Sequence, residues 1–83
     1  MTVGDLIKDK DYDCISWRVT LPEDLGGEDI FFGAAKSKNG KLISLDGDSY
    51  SENTEIISYE EWDNPEEGIK NGLTVIYKGE WMR

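Results

Sequence analysis

The side chains able to do chemistry are few and mostly of one kind. The 83 residues include eighteen Asp and Glu, nine Lys and Arg, one Cys and no His. Without His there is no imidazole general base, no Ser-His-Asp or Cys-His pair, and no His metal ligand. Cys14 alone forms neither an internal disulfide nor a multi-cysteine zinc or iron–sulfur site. A nucleophilic thiolate needs its pKa lowered by a helix N-terminus or a basic neighbour. The one basic candidate is Arg18, four positions along the same face, so Cys14 reads as structural filler. Carboxylate chemistry is what remains. Glu60-Glu61 and Glu66-Glu67 are paired acids of the kind that act on glycosidic bonds. Neighbours on a strand point to opposite faces, however, and acids in a turn keep ordinary pKa values. Asp46, Asp48 and Glu52 have the spacing of many calcium loops. An EF-hand needs Gly at its sixth position and Glu at its twelfth, where this chain has Ser51 and Ile57. Gly26-Gly27 lacks the Gly-Lys-Ser/Thr of a phosphate loop and reads as a turn. No cofactor or metal is expected, and the chain reads as a non-enzyme.

The charge has a location. Nine acids lie between Leu42 and Ile69 (Asp46, Asp48, Glu52, Glu55, Glu60, Glu61, Asp63, Glu66 and Glu67), a window without Lys or Arg. The remaining nine acids are matched by all nine bases, so this window carries the whole net charge of −9. Such a run is either a solvated face that favours solubility or a surface shaped for a basic protein partner. The acidity disfavours direct nucleic-acid contact and repels anionic lipid. No segment approaches the roughly 20 apolar residues of a membrane span. The first residues lack the basic-then-apolar pattern of a signal peptide, and a lone thiol fits a reducing cytoplasm.

The elements that must position these groups make one small domain over residues 1–83, burying about 60–65% of its unfolded surface. Three Trp, four Tyr and two Phe argue for a packed core despite 33% charged residues. Thr2 and Asp5 form a capping-box-like start, after which Val3, Leu6 and Ile7 share a helix face. From Tyr12 the period becomes two, with Ile15, Trp17, Val19 and Leu21 on one face, until Pro22. Residues 30–37 and 41–45 flank Asn39-Gly40, a strong hairpin signal. A two-residue turn there pairs Lys38 with Lys41, Lys36 with Ile43 and Ala34 with Leu45. Ile30, Phe32, Ala34, Ile43 and Leu45 then form the expected core face. Residues 46–53 read as a polar loop, 55–62 as a strand, 63–68 as a turn and 73–77 as a β-branched final strand. The expectation is an α+β domain: a short N-terminal helix packed on an antiparallel, meander-type sheet of about five strands.

Trp17, Phe32, Tyr59 and Tyr77 fall on expected core faces. Trp62 shares a face with Glu60 beside an acidic turn, which suits either a cover for the helix side of the sheet or an anchor for a partner offering Arg or Lys. Trp81-Met82 forms either a folded-back tail or a sticky end.

Asp5-Leu6-Ile7 followed by Lys10-Asp11-Tyr12 resembles the start of small acidic proteins encoded by phages and mobile elements, some of them anti-CRISPR inhibitors of Cas9. The resemblance covers about a dozen residues, plus size, acidity and helix-plus-sheet composition. It implies a DNA-mimicking role for the 46–67 run, with Asp46, Asp48, Glu60, Glu61 and Asp63 at the contact. The helical C-terminal half of some such inhibitors has no counterpart here, where that region reads as strands. Two functions follow. One is a non-enzymatic binding protein, monomeric or weakly dimeric, whose acidic surface (Asp46, Asp48, Glu60, Glu61, Trp62, Asp63, Glu66 and Glu67) occupies a basic site on a protein partner. The other is a small assembly module associating through a sheet edge or its C-terminal tail.

Overall fold

The computed structural model describes residues 1–20 and 23–77. Leu21, Pro22 and the Trp81-Met82 tail lie outside the described residues.

Helix α1 spans Val3–Ile7 and begins with the expected capping box. The Asp5 N–H donates to the Thr2 hydroxyl at 3.3 Å, and the Thr2 N–H donates to the Asp5 carboxylate at 2.9 Å. Five residues do not hold a helix by propensity. Val3 and Ile7 are fully buried, and the orphan N–H groups of Val3 and Gly4 donate to the carbonyls of Thr54 at 3.1 Å and Glu52 at 2.8 Å. Tertiary contact therefore completes the helix.

Five strands follow: β1 (Cys14–Thr20), β2 (Asp29–Lys38), β3 (Lys41–Ser44), β4 (Ser58–Asn64) and β5 (Ile69–Tyr77). They form one sheet in the order β3-β2-β1-β5-β4, antiparallel except for the parallel pair β1–β5. The α+β expectation holds, and the meander does not. The thirteen residues 45–57 leave β3 at one edge and reach β4 at the other. That distance is four strand spacings, about 19 Å, which a connection of this length spans. This segment crosses the same face as α1: Tyr50 stacks on Trp17, Ile56 is buried, and the Ile56 N–H donates to the Met1 carbonyl at 2.9 Å. One face of the sheet is thus covered by α1 and the crossing segment.

The alternation of β1 is as expected, with Ile15, Trp17 and Val19 buried against Leu73 and Val75 of β5. The face assignment of the β2–β3 hairpin needs correction. Its turn registers as expected, with Lys38 opposite Lys41 and Lys36 opposite Ile43, and the Leu45 N–H donates to the Ala34 carbonyl at 2.9 Å. The core residues are instead Ala35 and Ser37, together with the partly buried Leu42, while Ile43 and Leu45 are exposed. The cause is an irregularity between two β1–β2 pairs, Ile15 with Ala35 and Trp17 with Phe32. Two residues separate the β1 members and three separate the β2 members, so one extra β2 residue flips every later side chain. Gly33, at φ +85°, lies at that step, and a Cβ there would stand 2.7 Å from the Trp17 ring. A single glycine inside an alternating run carries the signal.

Two further expectations shift. The strand expected from Glu55 starts at Ser58, leaving Ile56 buried and Ile57 70% exposed. Tyr59 is 40% exposed, because β4 is an edge strand with little over its inner face. Phe32 is likewise part-exposed, but packs edge-on to Tyr77 at 6.0 Å and stacks on Trp17 at 6.5 Å.

Glycine substitutions separate backbone conformation from close approach. Gly47 also has positive φ, +86°, but nothing lies within 4 Å of a Cβ there. Gly47→Ala is expected to cost about 1–2 kcal/mol, the left-handed backbone term alone. Gly33→Ala must in addition displace Trp17 and is expected to cost about 2–4 kcal/mol in total. Urea unfolding monitored by Trp fluorescence checks the order.

Candidate functional site: an acidic strand edge

The acidic window does not form one surface. Asp46 and Asp48 follow β3 and attach to β2, whereas Glu60, Glu61, Trp62 and Asp63 lie on β4, and Glu66 and Glu67 in the 3₁₀ turn Pro65–Glu67 after it. Strands β1 and β5 stand between the two groups, so β2 and β4 are about 14 Å apart.

Asp46 is a structural carboxylate. It accepts from the Ala34 N–H at 3.2 Å, the Ser44 hydroxyl at 3.1 Å, the Asp48 N–H at 3.0 Å and the Tyr50 hydroxyl. The Tyr50 hydroxyl first and the Asp48 N–H second hold its pKa below the ordinary carboxylate range, and the same contact pushes the Tyr50 pKa up. The Leu42 N–H donates to the Glu52 carboxylate at 3.1 Å, which also ties down the edge of β3. Two of the three acids with calcium-loop spacing are therefore turned toward the chain's own donors. Among the described residues no group of three or more His, Cys, Asp or Glu converges as a metal site.

On β4 the acids divide by face. Glu61 lies opposite Leu73 and bonds to Lys10, whose pKa that carboxylate raises. Glu60 lies opposite Thr74 and stands 3.9 Å from Arg18, which also sits 3.7 Å from Asp29. Asp63, Glu66 and Glu67 are exposed and have no ion-pair partner among the described residues. Trp62 is half-buried, with its ring over Gly72, where a Cβ would collide with it. Its indole N–H donates to the Thr74 hydroxyl at 2.9 Å, and that hydroxyl shares a hydrogen bond with Ser16 at 3.0 Å. Trp62 is thus fixed on the outer face, opposite the helix, rather than covering the helix side. Its rigid placement presents one ring edge beside the acids.

A shallow cleft of about 260 Å³ opens between Lys10, Glu61, Trp62, Asp63 and Lys70. Ligand pockets are mostly apolar and enclosed; this one has a polar, mixed-charge lining and suits a polar side chain better than a small organic molecule. Cys14 lies on the outer face, and its pKa is pushed up, mainly by burial and then by Glu67 and Asp13. That is the opposite of nucleophile activation.

The sequence reading missed four features. These are the Lys10–Glu61 and Arg18–Asp29 contacts, the Tyr50–Asp46 latch, and the role of Asp13, whose carboxylate accepts from the Lys70 and Asn71 N–H groups at 3.1 Å each. Lys10–Glu61 and the Asp13 contacts join residues more than fifty apart, Arg18–Asp29 runs across two strands, and the Tyr50–Asp46 latch, though four residues apart, lies in an irregular loop with no periodic spacing to mark it. A fifth is local in the sequence: residues 30–45 contain Lys36, Lys38 and Lys41 and no acid. Comparison with family models, curated proteins and solved structures gave no match.

The Asp46 latch has a pH signature. A carboxyl with a depressed folded-state pKa adds stability above its unfolded pKa, and loses it as pH falls through the folded value. Asp46→Asn is therefore expected to lower Tm at neutral pH, with the gap from wild type closing below about pH 4. Thermal melts across pH 3–7 check the convergence.

Proposed function

We propose that the chain is a non-enzymatic binding protein whose acidic β4 edge and following turn occupy a basic site on a protein partner. A nucleic-acid-binding site is the most natural target, in the manner of the phage-encoded inhibitors its first dozen residues resemble. The observation that carries this reading is the placement of five acids with no base over residues 58–67, on an edge strand and turn. Three of them, Asp63, Glu66 and Glu67, have no ion-pair partner among the described residues. Charge left unpaired on a rigid edge steers a basic partner and sets its register. Trp62, held by Thr74 and Gly72, offers a preorganised aromatic contact for an Arg or Lys. Asp46 and Asp48 fall outside this surface, because Asp46 spends its oxygens on the chain itself and stands across the sheet. No helix of the described residues is long and apolar enough to cross a membrane, and the reading places the interaction in the cytoplasm.

Charge reversal separates the two halves of the window. With a fluorescent Lys/Arg-rich peptide as probe, Glu66→Lys/Glu67→Lys is expected to raise Kd about tenfold or more, whereas Asp48→Lys leaves it within about twofold. Wild-type binding should weaken steeply between about 50 and 500 mM salt. Equal losses from both edges, or a Kd indifferent to salt, would overturn the proposal.

A further inference from the structure

We infer that the outer face of the sheet is an interface between two copies of this chain, related by a two-fold axis parallel to the strands. This goes beyond the reading above, which concerns a basic partner of different sequence, and does not rest on it.

The one α-helix among the described residues and the crossing segment lie on the inner face. On the outer face Phe31 is 62% exposed and Ile43 39%, while Cys14, Ser16 and Arg18 are half-buried. Arg18 lies over the Phe31 ring at 6.0 Å, and its Nε is buried without a hydrogen-bond partner among the described residues. The face thus has a semi-apolar centre around a cation flanked by the Asp29 and Glu60 carboxylates at 3.7 and 3.9 Å.

Its two flanks carry opposite charge. Lys36 pairs with Ile43 and Lys38 with Lys41 across the β2–β3 hairpin, which places these lysines on the outer face. None of the three is in an ion pair among the described residues. Across the sheet stand Glu66 and Glu67, exposed in the turn Pro65–Glu67 that leads from β4 into β5, the strand paired with β1 beside Cys14. Both flanks lie at the same end. Ala35 is opposite Ile15 and Gly72 is beside Cys14, so Lys38 and Ile69 both lie beyond the Cys14 end of β1.

Strand β1 is the middle strand of five. When two such faces meet about an axis parallel to β1, the left flank of each opposes the right flank of the other. Lys36 and Lys38 of each copy then stand over Glu66 and Glu67 of its partner, twice. Such an interface is self-complementary and closes at two copies. Edge-to-edge growth is disfavoured, because the β3 edge is occupied by the Glu52 carboxylate at the Leu42 N–H. A face of roughly 20 by 20 Å buries about 800 Å² over both copies, below the size of a standard specific interface, so the dimer should be weak and concentration-dependent. Cys14, on the central strand, lies near the axis; packed sheets stand about 10 Å apart, so the two thiols face each other at cross-linker distance rather than disulfide distance.

The test is charge-swap complementation near physiological ionic strength, read by sedimentation velocity over a range of concentrations. Wild type should shift from monomer to dimer, and a bismaleimide with a spacer of about 10 Å should trap the dimer through Cys14, with Cys14→Ser as control. Lys36→Glu/Lys38→Glu and Glu66→Lys/Glu67→Lys should each remain monomeric, with dissociation constants raised at least about tenfold, while an equimolar mixture restores a heterodimer. Circular dichroism matching wild type establishes that each variant is folded. The inference is overturned if wild type stays monomeric at the highest concentration, if it grows past two copies, or if the mixture fails to associate. A monomeric wild type that still binds the basic peptide would sink this interface and leave the acidic-edge reading standing.

Discussion

The contact between Trp17 and Gly33 governs what each side of the sheet presents. Trp17 is the large buried ring of β1, and it fits only because β2 has no Cβ at its closest approach. Tyr50 stacks on the same ring with centroids 4.4 Å apart, and Phe32 flanks it. The positive φ at Gly33 and the extra residue beside it turn Ala35 and Ser37 inward. The same step turns Lys36 and Lys38 outward. An unbroken strand would have placed Phe32, Ala34, Lys36 and Lys38 on one face, driving two lysines toward the core or two apolar residues toward water. Burying even one unpaired ammonium costs several kcal/mol, far more than the roughly 1 kcal/mol of a glycine in a strand. The bulge resolves the conflict at the lower cost.

The crossing segment depends on the same ring. Tyr50 is held by Trp17 from above and by Asp46 at its hydroxyl, so the chain leaving β3 is directed under the sheet instead of back along it. From there Glu52 and Thr54 supply the carbonyls that cap α1, and Ile56 enters the core before β4 begins. The helix, too short to stand alone, is completed by a segment whose path an aromatic stack defines. An acid counted at first as surface charge therefore shapes the topology, and the excess of acids is divided between structure on one edge and exposure on the other.

How far the sequence could be read follows from the range of each interaction. The capping box at Thr2, the alternation of Ile15, Trp17 and Val19, and the Asn39-Gly40 turn are local patterns, and each stands in the structure as the spacing predicts. The meander fails because strand order depends on where a thirteen-residue connection anchors, and its anchors, Tyr50 and Ile56, meet partners far along the chain. Ile30 and Phe32 take the expected inner face opposite Val19 and Trp17, and the faces shift by one residue only after Gly33, because a strict period of two has no place for a bulge. Trp62 was legible as an outlier among the aromatics. Its fixing by Gly72 and Thr74 was not, because that contact runs across strands. The acidic window was legible as a count and not as a surface, since opposite edges of a sheet are adjacent in no sequence measure.

Net charge and local charge pull in opposite directions here, and distance decides between them. Two copies each carrying −9 repel as whole molecules. Their centres would be some 20–25 Å apart, where repulsion of this size amounts to several kcal/mol at about 0.01 M salt, with a Debye length near 30 Å. At about 0.15 M the Debye length is near 8 Å, and that repulsion falls to about 1 kcal/mol. Contacts between a lysine and a glutamate at 3–4 Å lie well inside the screening length and lose far less. The proposed self-association through the outer face should thus be strongest at intermediate ionic strength, weakened below it by whole-molecule repulsion and above it by screening of the contacts themselves. A basic partner feels no such repulsion, so its affinity rises monotonically as salt is lowered. On the two proposals taken together, low salt favours a basic partner at the acidic edge and moderate salt favours the second copy.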